Sequence, residues 1–135
     1  MGTVFGLVAL GTWLATVCVG FVLADRWVTG PQAAPVAPEA PEPRIGAARG
    51  IALGAHIGPA ATSLLIWAVF LMTGGAALGW IAVAVMAAGI AFGAVLFVIG
   101  HRRRTRTHRP VPRPIVAHAT LACVTLVLAV TGLLL

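Results

Sequence analysis

The chain has 135 residues, of which 60% are hydrophobic and 9% are charged, and its mean hydropathy is +1.03. A soluble domain contains roughly 25% charged residues, and a domain this small has too much surface for its volume to hide so many apolar side chains. The composition therefore excludes a soluble globular protein, and the net charge of +6 comes mostly from one short arginine-rich segment.

Four apolar segments, which we call spans one to four, are each long enough to cross a membrane. A hydrocarbon core about 30 Å thick takes about 20 helical residues to cross, and lipid offers the backbone no hydrogen-bond partners, so each span should be helical. The spans contain no Asp, Glu, Lys or Arg, and they are residues 3–24, 51–73, 78–100 and 115–134. The sequence therefore predicts one all-α domain, residues 1–135, that forms an integral membrane four-helix bundle.

Span one has an alternative interpretation as a secretory signal, because Val22-Leu23-Ala24 resembles a cleavage site. However, no positively charged region precedes it, and its apolar part is longer than the roughly 7–15 residues of such signals. We therefore interpret span one as a retained helix.

The connection between spans one and two, residues 25–50, is rich in proline through its middle, residues 30–43. Proline favours an extended, polyproline-like chain. We interpret the connection as a solvated tether, with recruitment of a partner as the alternative. The connection between spans two and three, residues 74–77, is short enough to predict a tight turn and an antiparallel hairpin.

Residues 101–114 connect spans three and four and carry most of the arginines; the others lie in the tether. Cytoplasmic loops are enriched in basic residues, so we predict that both connections are cytoplasmic and that the turn and both termini lie outside. The lack of lysine and the abundance of Ala, Gly and Val resemble the products of GC-rich bacterial genomes. We therefore expect a multi-pass protein of the bacterial inner membrane.

The basic loop is expected to rest on anionic lipid headgroups, which attract each basic residue near the surface by about 1 kcal/mol. The loop has no folded binding module and no interleaved aromatic residues, so we expect no nucleic-acid partner. Its histidines, His101 and His108, are expected to be solvated. The arginines expected at the headgroups are Arg102, Arg103, Arg104, Arg106 and Arg109.

A cysteine introduced into residues 102–113 should not react with a membrane-impermeant reagent added outside intact cells, because the positive charges keep this loop in the cytoplasm. The same reagent should label it in inside-out vesicles. Labelling in intact cells would contradict the predicted orientation.

Small residues recur at intervals of four in three of the spans, and such rows let helices approach closely in lipid. They predict a tight bundle, and they also leave open contact with other membrane subunits or with further copies of the chain. The rows are Gly46, Gly50, Gly54 and Gly58 entering span two, Gly89 and Gly93 in span three, and Gly2 and Gly6 in span one.

Two histidines lie inside apolar spans, His56 in span two and His118 in span four. An ionisable residue at membrane depth is a functional-site hypothesis by default. His56 follows Arg49 by seven residues and His118 follows Arg113 by five, which places both roughly 8–10 Å inside the same boundary. Because spans two and four run in the same direction, we predict that the two imidazoles face each other.

The helix faces that carry these histidines are lined mainly by small residues at helical spacing. Such faces leave room for a flat, bulky ligand, and neutral imidazole is a common metal ligand. We therefore predict a cofactor site in which His56 and His118 are the metal ligands. The residues predicted to line it are Gly54, Gly58, Ala122 and Thr125.

Paired histidines on spans two and four of a four-helix bundle resemble the membrane b-type cytochromes, in which haem with two histidine ligands lies between helices. The stretch Arg113–Ala122 around His118 is similar to a ligand-bearing span of that family. The resemblance implies that His56 and His118 bind haem b, with its propionates towards the arginines, and that the protein transfers electrons. Spans one and three have no second histidine pair, so the resemblance implies one haem at most.

Other interpretations of the histidines stay open. A membrane histidine can donate to a carbonyl of a neighbouring helix, which contributes about 0.6 kcal/mol, or it can contact a quinone or a partner. The protein would then be a non-enzymatic accessory or scaffold subunit of a larger membrane complex. No hydrolytic or transferase motif is visible, so the sequence predicts a redox component at most. Cys18 and Cys123 lie in apolar runs without a metal-ligand or disulfide pattern.

Overall fold

A computed structural model describes residues 2–29, 43–106 and 111–135. These residues form four helices, each with a segment of 22 to 25 residues that is long and apolar enough to cross a membrane. The helices are α1 (Gly2–Thr29), α2 (Pro43–Thr73), α3 (Ala76–Arg106) and α4 (Arg113–Leu134). The prediction of an all-α protein with four membrane-span-like helices is confirmed. Its orientation and its location in the bacterial inner membrane stay predictions.

The helices extend beyond the predicted spans. Helix α2 begins at Pro43 instead of residue 51, and α3 continues to Arg106 instead of residue 100. The added turns contain several Ala and Arg residues, which have high helix propensity, and proline is tolerated in a first helical turn. The end of the predicted tether and the start of the basic loop are therefore helical, whereas residues 30–42 and 107–110 lie outside the described ranges.

The bundle consists of two closely packed antiparallel pairs, α1 with α4 and α2 with α3. The pairs meet less extensively, at α1 with α2 and at α3 with α4. The helices therefore follow the order α1, α2, α3, α4 around the bundle, with α2 and α4 on a diagonal. These two helices run in the same direction, as the sequence predicts.

A turn of two residues, Gly74 and Gly75, joins α2 to α3. Gly74 has a φ of 71°, a left-handed conformation in which glycine avoids the steric cost of a side chain, and its N–H donates to the Phe70 carbonyl at 2.8 Å. The predicted tight turn and hairpin are therefore present. We call this end of the bundle the turn end, and the opposite end, which carries Arg26 and Arg113, the arginine end.

The buried core lies towards the turn end. Trp67 is fully buried, its Nε1–H donates to the Gly6 carbonyl at 3.1 Å, and its ring centre lies 6.2 Å from that of Trp13. Because Trp13 is on α1 and Trp67 is on α2, these contacts join the two helix pairs. The buried hydrophobic residues are Ala9, Trp13, Trp67, Ala82, Val83, Met86 and Ala129.

Glycines allow the helices of each pair to approach closely. A Cβ built at Gly2 would lie 2.9 Å from the Gly132 carbonyl oxygen of α4, and one built at Gly89 would lie 3.4 Å from the Ala60 nitrogen of α2. The rows in spans one and three therefore pack inside the bundle. Gly54 and Gly58 differ, because they are exposed and a Cβ at either would meet no atom within 4 Å. Gly54 and Gly58 therefore face outwards.

Replacing Trp67 with phenylalanine should lower the free energy of unfolding by about 1 kcal/mol, because it removes the hydrogen bond to Gly6 and part of the ring contact with Trp13. Equilibrium unfolding in detergent, followed by circular dichroism, measures the change. Trp80→Phe is the matched control, since Trp80 is 45% exposed and should be replaced at little cost. Equal losses in the two variants would contradict this account of the core.

Candidate cofactor site

His56 and His118 meet in the interior of the bundle, from the diagonal helices α2 and α4. Their ring centres are 5.9 Å apart, and the ring planes make an angle of 77°. Both side chains are half-buried. The structure therefore brings together, at one depth, the two histidines that the sequence predicts to face each other.

Each ring is held by a hydrogen bond to the backbone of the partner helix in its own pair. The Nδ1 of His56 lies 2.8 Å from the Gly89 carbonyl oxygen on α3, and the Nδ1 of His118 lies 3.0 Å from the Thr16 carbonyl oxygen on α1. A carbonyl can only accept, so each Nδ1 carries the proton and donates it. In a neutral imidazole, the other nitrogen, Nε2, is then an unprotonated electron-pair donor.

The two Nε2 atoms remain available as ligands. Within the described part of the chain, neither Nε2 has a hydrogen-bond partner. Every buried side-chain nitrogen or oxygen there does have a hydrogen-bond partner, so neither Nε2 atom is fully buried. A metal-binding histidine usually has this arrangement, with its second nitrogen donating to a carbonyl or carboxylate.

The spacing of the rings suits a single metal ion between them. Two imidazoles on opposite sides of one ion, each bonded at about 2 Å, have ring centres roughly 6 Å apart, and the observed separation is 5.9 Å. Among the described residues, no group of three or more His, Cys, Asp or Glu side chains could hold a metal. A metal held between the two rings would therefore have only these two side chains as ligands from the described part of the chain.

Glycines on the flanking helices lie against the two rings. A Cβ built at Gly20 of α1 would be 3.0 Å from Cε1 of His118, and one built at Gly93 of α3 would be 2.7 Å from Cε1 of His56. Neither glycine is among the residues predicted to form the site. Gly20 belongs to the inward-facing side of α1. In the sequence, the residues of this side recur at alternating intervals of three and four: Gly6, Ala9, Trp13, Thr16 and Gly20.

The predicted lining residues divide into two groups. Thr125 is 1% exposed, its hydroxyl lies 3.0 Å from that of Thr12, and Ala122 is half-buried on the same face of α4. Gly54 and Gly58, in contrast, are on the exposed face of α2. The structure therefore does not bring these two glycines to the histidine rings, although they are close to His56 in sequence.

The side chains described as buried lie on the turn side of the histidines. Among residues 2–26, 50–98, 100 and 111–135, whose burial is described, every buried residue lies at, or on the turn side of, the level of Thr16 and Gly89, whose carbonyls hold the rings. On the arginine side, the most buried of these same residues are half-buried, among them Leu23, Leu96 and Ile115.

Positive charge marks the same end of the bundle. Arg26 lies in the last turn of α1 and Arg113 is the first residue of α4, and both are exposed. His118 follows Arg113 by five residues, a rise of about 7.5 Å along the helix. A ligand at the histidines with anionic groups directed to this end would meet favourable charge.

Comparison of the chain with protein-family models, with curated proteins and with solved structures finds no match. The interpretation of the site therefore depends on its own geometry and chemistry.

Proposed function

We propose that the chain binds one haem b between His56 and His118 and is an electron-transfer component of a bacterial cytoplasmic membrane. The observation that carries the proposal is the pair of imidazoles, 5.9 Å apart, with both Nδ1 atoms held by carbonyls and both Nε2 atoms available. Cofactor sites in four-helix bundles are built in this way, from side chains on facing helices.

The chain's residues would have distinct tasks at such a site. The Nε2 atoms of His56 and His118 would bind the iron, and the Nδ1–H bonds to Gly89 and Thr16 would hold the rings and raise their basicity as ligands. Arg26 and Arg113 would favour a ligand whose carboxylates point towards the arginine end. Haem bound there would supply one-electron chemistry between its ferrous and ferric states.

A single site limits what the chain does alone. The described spans contain one facing histidine pair, and the core at the turn end separates that pair from the other side of the bundle. The electron donor and acceptor therefore both need access near the arginine end, unless another membrane subunit continues the path. This favours a component of a larger redox assembly.

The protein purified from haem-replete cells should show a Soret band and reducible α and β bands, with one haem per chain. His56→Ala and His118→Ala should each lose or strongly weaken these bands, because each removes one of the two histidines that would bind the iron. The controls are His101→Ala and His108→Ala, which should leave the spectrum unchanged, since these histidines are predicted to be solvated at the membrane surface. A folded, colourless wild-type protein would refute the proposal.

A second candidate function is that of a non-enzymatic accessory subunit. Two observations favour it: each histidine already donates to a neighbouring helix, as a purely structural histidine would, and the glycines of α2 at positions 50, 54 and 58 face outwards with open space beside them. Such a row permits a helix of another subunit to pack closely.

Asparagine substitutions separate the two candidates. The side-chain amide of asparagine can occupy the place of Nδ1 and donate to the same carbonyl, but it has no equivalent of Nε2. If the histidines are only structural, His56→Asn and His118→Asn should keep the stability of the wild type, whereas the alanine variants lose about 0.6 kcal/mol each. If they bind haem, the asparagine variants should lose the absorption bands as well, while they stay folded.

A further inference from the structure

The same local arrangement occurs twice in the site. On α1, the Thr16 carbonyl accepts from His118, and the residue four positions later, Gly20, lies against the His118 ring. On α3, the Gly89 carbonyl accepts from His56, and the residue four positions later, Gly93, lies against the His56 ring. In each case one helix supplies the carbonyl and the glycine, and its partner in the pair supplies the histidine.

Helix geometry explains why a glycine follows the carbonyl by four residues. Every Cα–Cβ bond of an α-helix tilts towards the N-terminus, so a side chain at position i+4 lies over the turn that contains residue i. The carbonyl of residue i already accepts from the N–H of residue i+4, and a second donor must approach it from the side. Without a Cβ at i+4, that side is open to an imidazole ring.

We infer that Gly20 and Gly93 are positioning residues, each of which exposes a helix carbonyl so that the histidine of the partner helix donates to it from Nδ1 and keeps Nε2 as the metal ligand. The positioning role concerns the same site as the proposed function. Its expected effect on the haem midpoint potential rests on that proposed function. The inference also assigns a role to two residues at which a Cβ would meet the imidazoles and that no metal-ligand pattern in the sequence includes.

The two positions should differ in sensitivity. A Cβ at Gly93 would lie 2.7 Å from Cε1 and 2.9 Å from Nδ1 of His56, so that ring must move away from its carbonyl. A Cβ at Gly20 would lie 3.0 Å from Cε1 and 3.5 Å from Nδ1 of His118, which a shift of a few tenths of an ångström can relieve. Gly93→Ala should therefore disturb the His56 ring more than Gly20→Ala disturbs the His118 ring.

The bond to the carbonyl has a redox consequence. An imidazole whose N–H donates to an acceptor is a more basic ligand, and a more basic ligand stabilises ferric over ferrous iron. Loss of either Nδ1–H···O=C bond should thus raise the midpoint potential of the haem, and loss of such a supporting contact typically weakens metal binding by about 10- to 100-fold.

The first test needs no haem. In ¹⁵N-histidine-labelled apoprotein in lipid nanodiscs, NMR should show Nδ1-protonated, hydrogen-bonded rings at His56 and His118. Gly93→Ala should shift the Nδ1–H signal of His56 strongly and Gly20→Ala that of His118 more weakly. Gly11→Ala on α1 and Gly100→Ala on α3 are matched controls, because they bring the same gain in helix propensity at positions where a Cβ meets nothing within 4 Å.

The second test is potentiometric titration of the haem-loaded proteins. Gly93→Ala should raise the midpoint potential or lower haem affinity, Gly20→Ala should do so less, and both control variants should match the wild type. Unchanged NMR signals and potentials in Gly20→Ala and Gly93→Ala would overturn the inference. Rings protonated on Nε2 in the wild type would overturn it even if an alanine variant fails to fold.

Failure of the two proposals can be distinguished. If the wild type binds no haem, the proposed function fails, whereas the NMR experiment still decides whether the glycines position the rings. If the wild type binds haem and the glycine variants behave like the controls, the proposed function survives and the positioning role is wrong.

Discussion

The ring N–H of a histidine in lipid must find an acceptor within the protein, because no water is present to accept its proton. His56 and His118 each use a carbonyl of the helix with which their own helix pairs most closely. A slide of one residue along that partner would move the ring off its carbonyl by about 1.5 Å and rotate the carbonyl away. The position of the rings therefore depends on the register between α1 and α4 and between α2 and α3. The glycine contacts within these helix pairs therefore also help to hold the two rings in place.

Packing and site chemistry occupy different ends of the bundle. Large rings fill the turn end, where Trp13 and Trp67 join the two helix pairs, and a layer of buried hydroxyls, Thr16, Ser63 and Thr125, lies between these rings and the histidines. Each hydroxyl donates to a carbonyl of its own helix or to another hydroxyl. Because these hydroxyls already have hydrogen-bond partners nearby, they do not need the histidine rings as partners. The side chains described as buried thus lie mainly on the turn side of the rings, and changes at the site need not unfold the protein.

The amino-acid sequence predicts the helices and the histidine pair better than it predicts their surroundings. Span length and the distance of His56 and His118 from their nearest arginines depend only on helical rise, so the common depth of the two rings follows directly. Which face of α2 turns inwards depends instead on its partners, and the structure places Gly54 and Gly58 on the exposed face of that helix. Gly20 lies on a different helix from His118, and its role requires the register between α1 and α4, which no periodicity in a single segment reveals.

Charge balance supports the proposal of a haem over that of a bare metal ion between the two histidines. The described spans carry no acidic residue between the two imidazoles, and two neutral nitrogen donors leave the charge of a dication uncompensated. The idealised cost of moving an ion from water to a low-dielectric interior is on the order of 20 kcal/mol, which two metal–nitrogen bonds alone would have to offset. A porphyrin dianion would compensate the charge of ferrous iron within the ligand itself. Its carboxylates would then need positive charge outside the apolar interior, which the exposed Arg26 and Arg113 at the arginine end would supply.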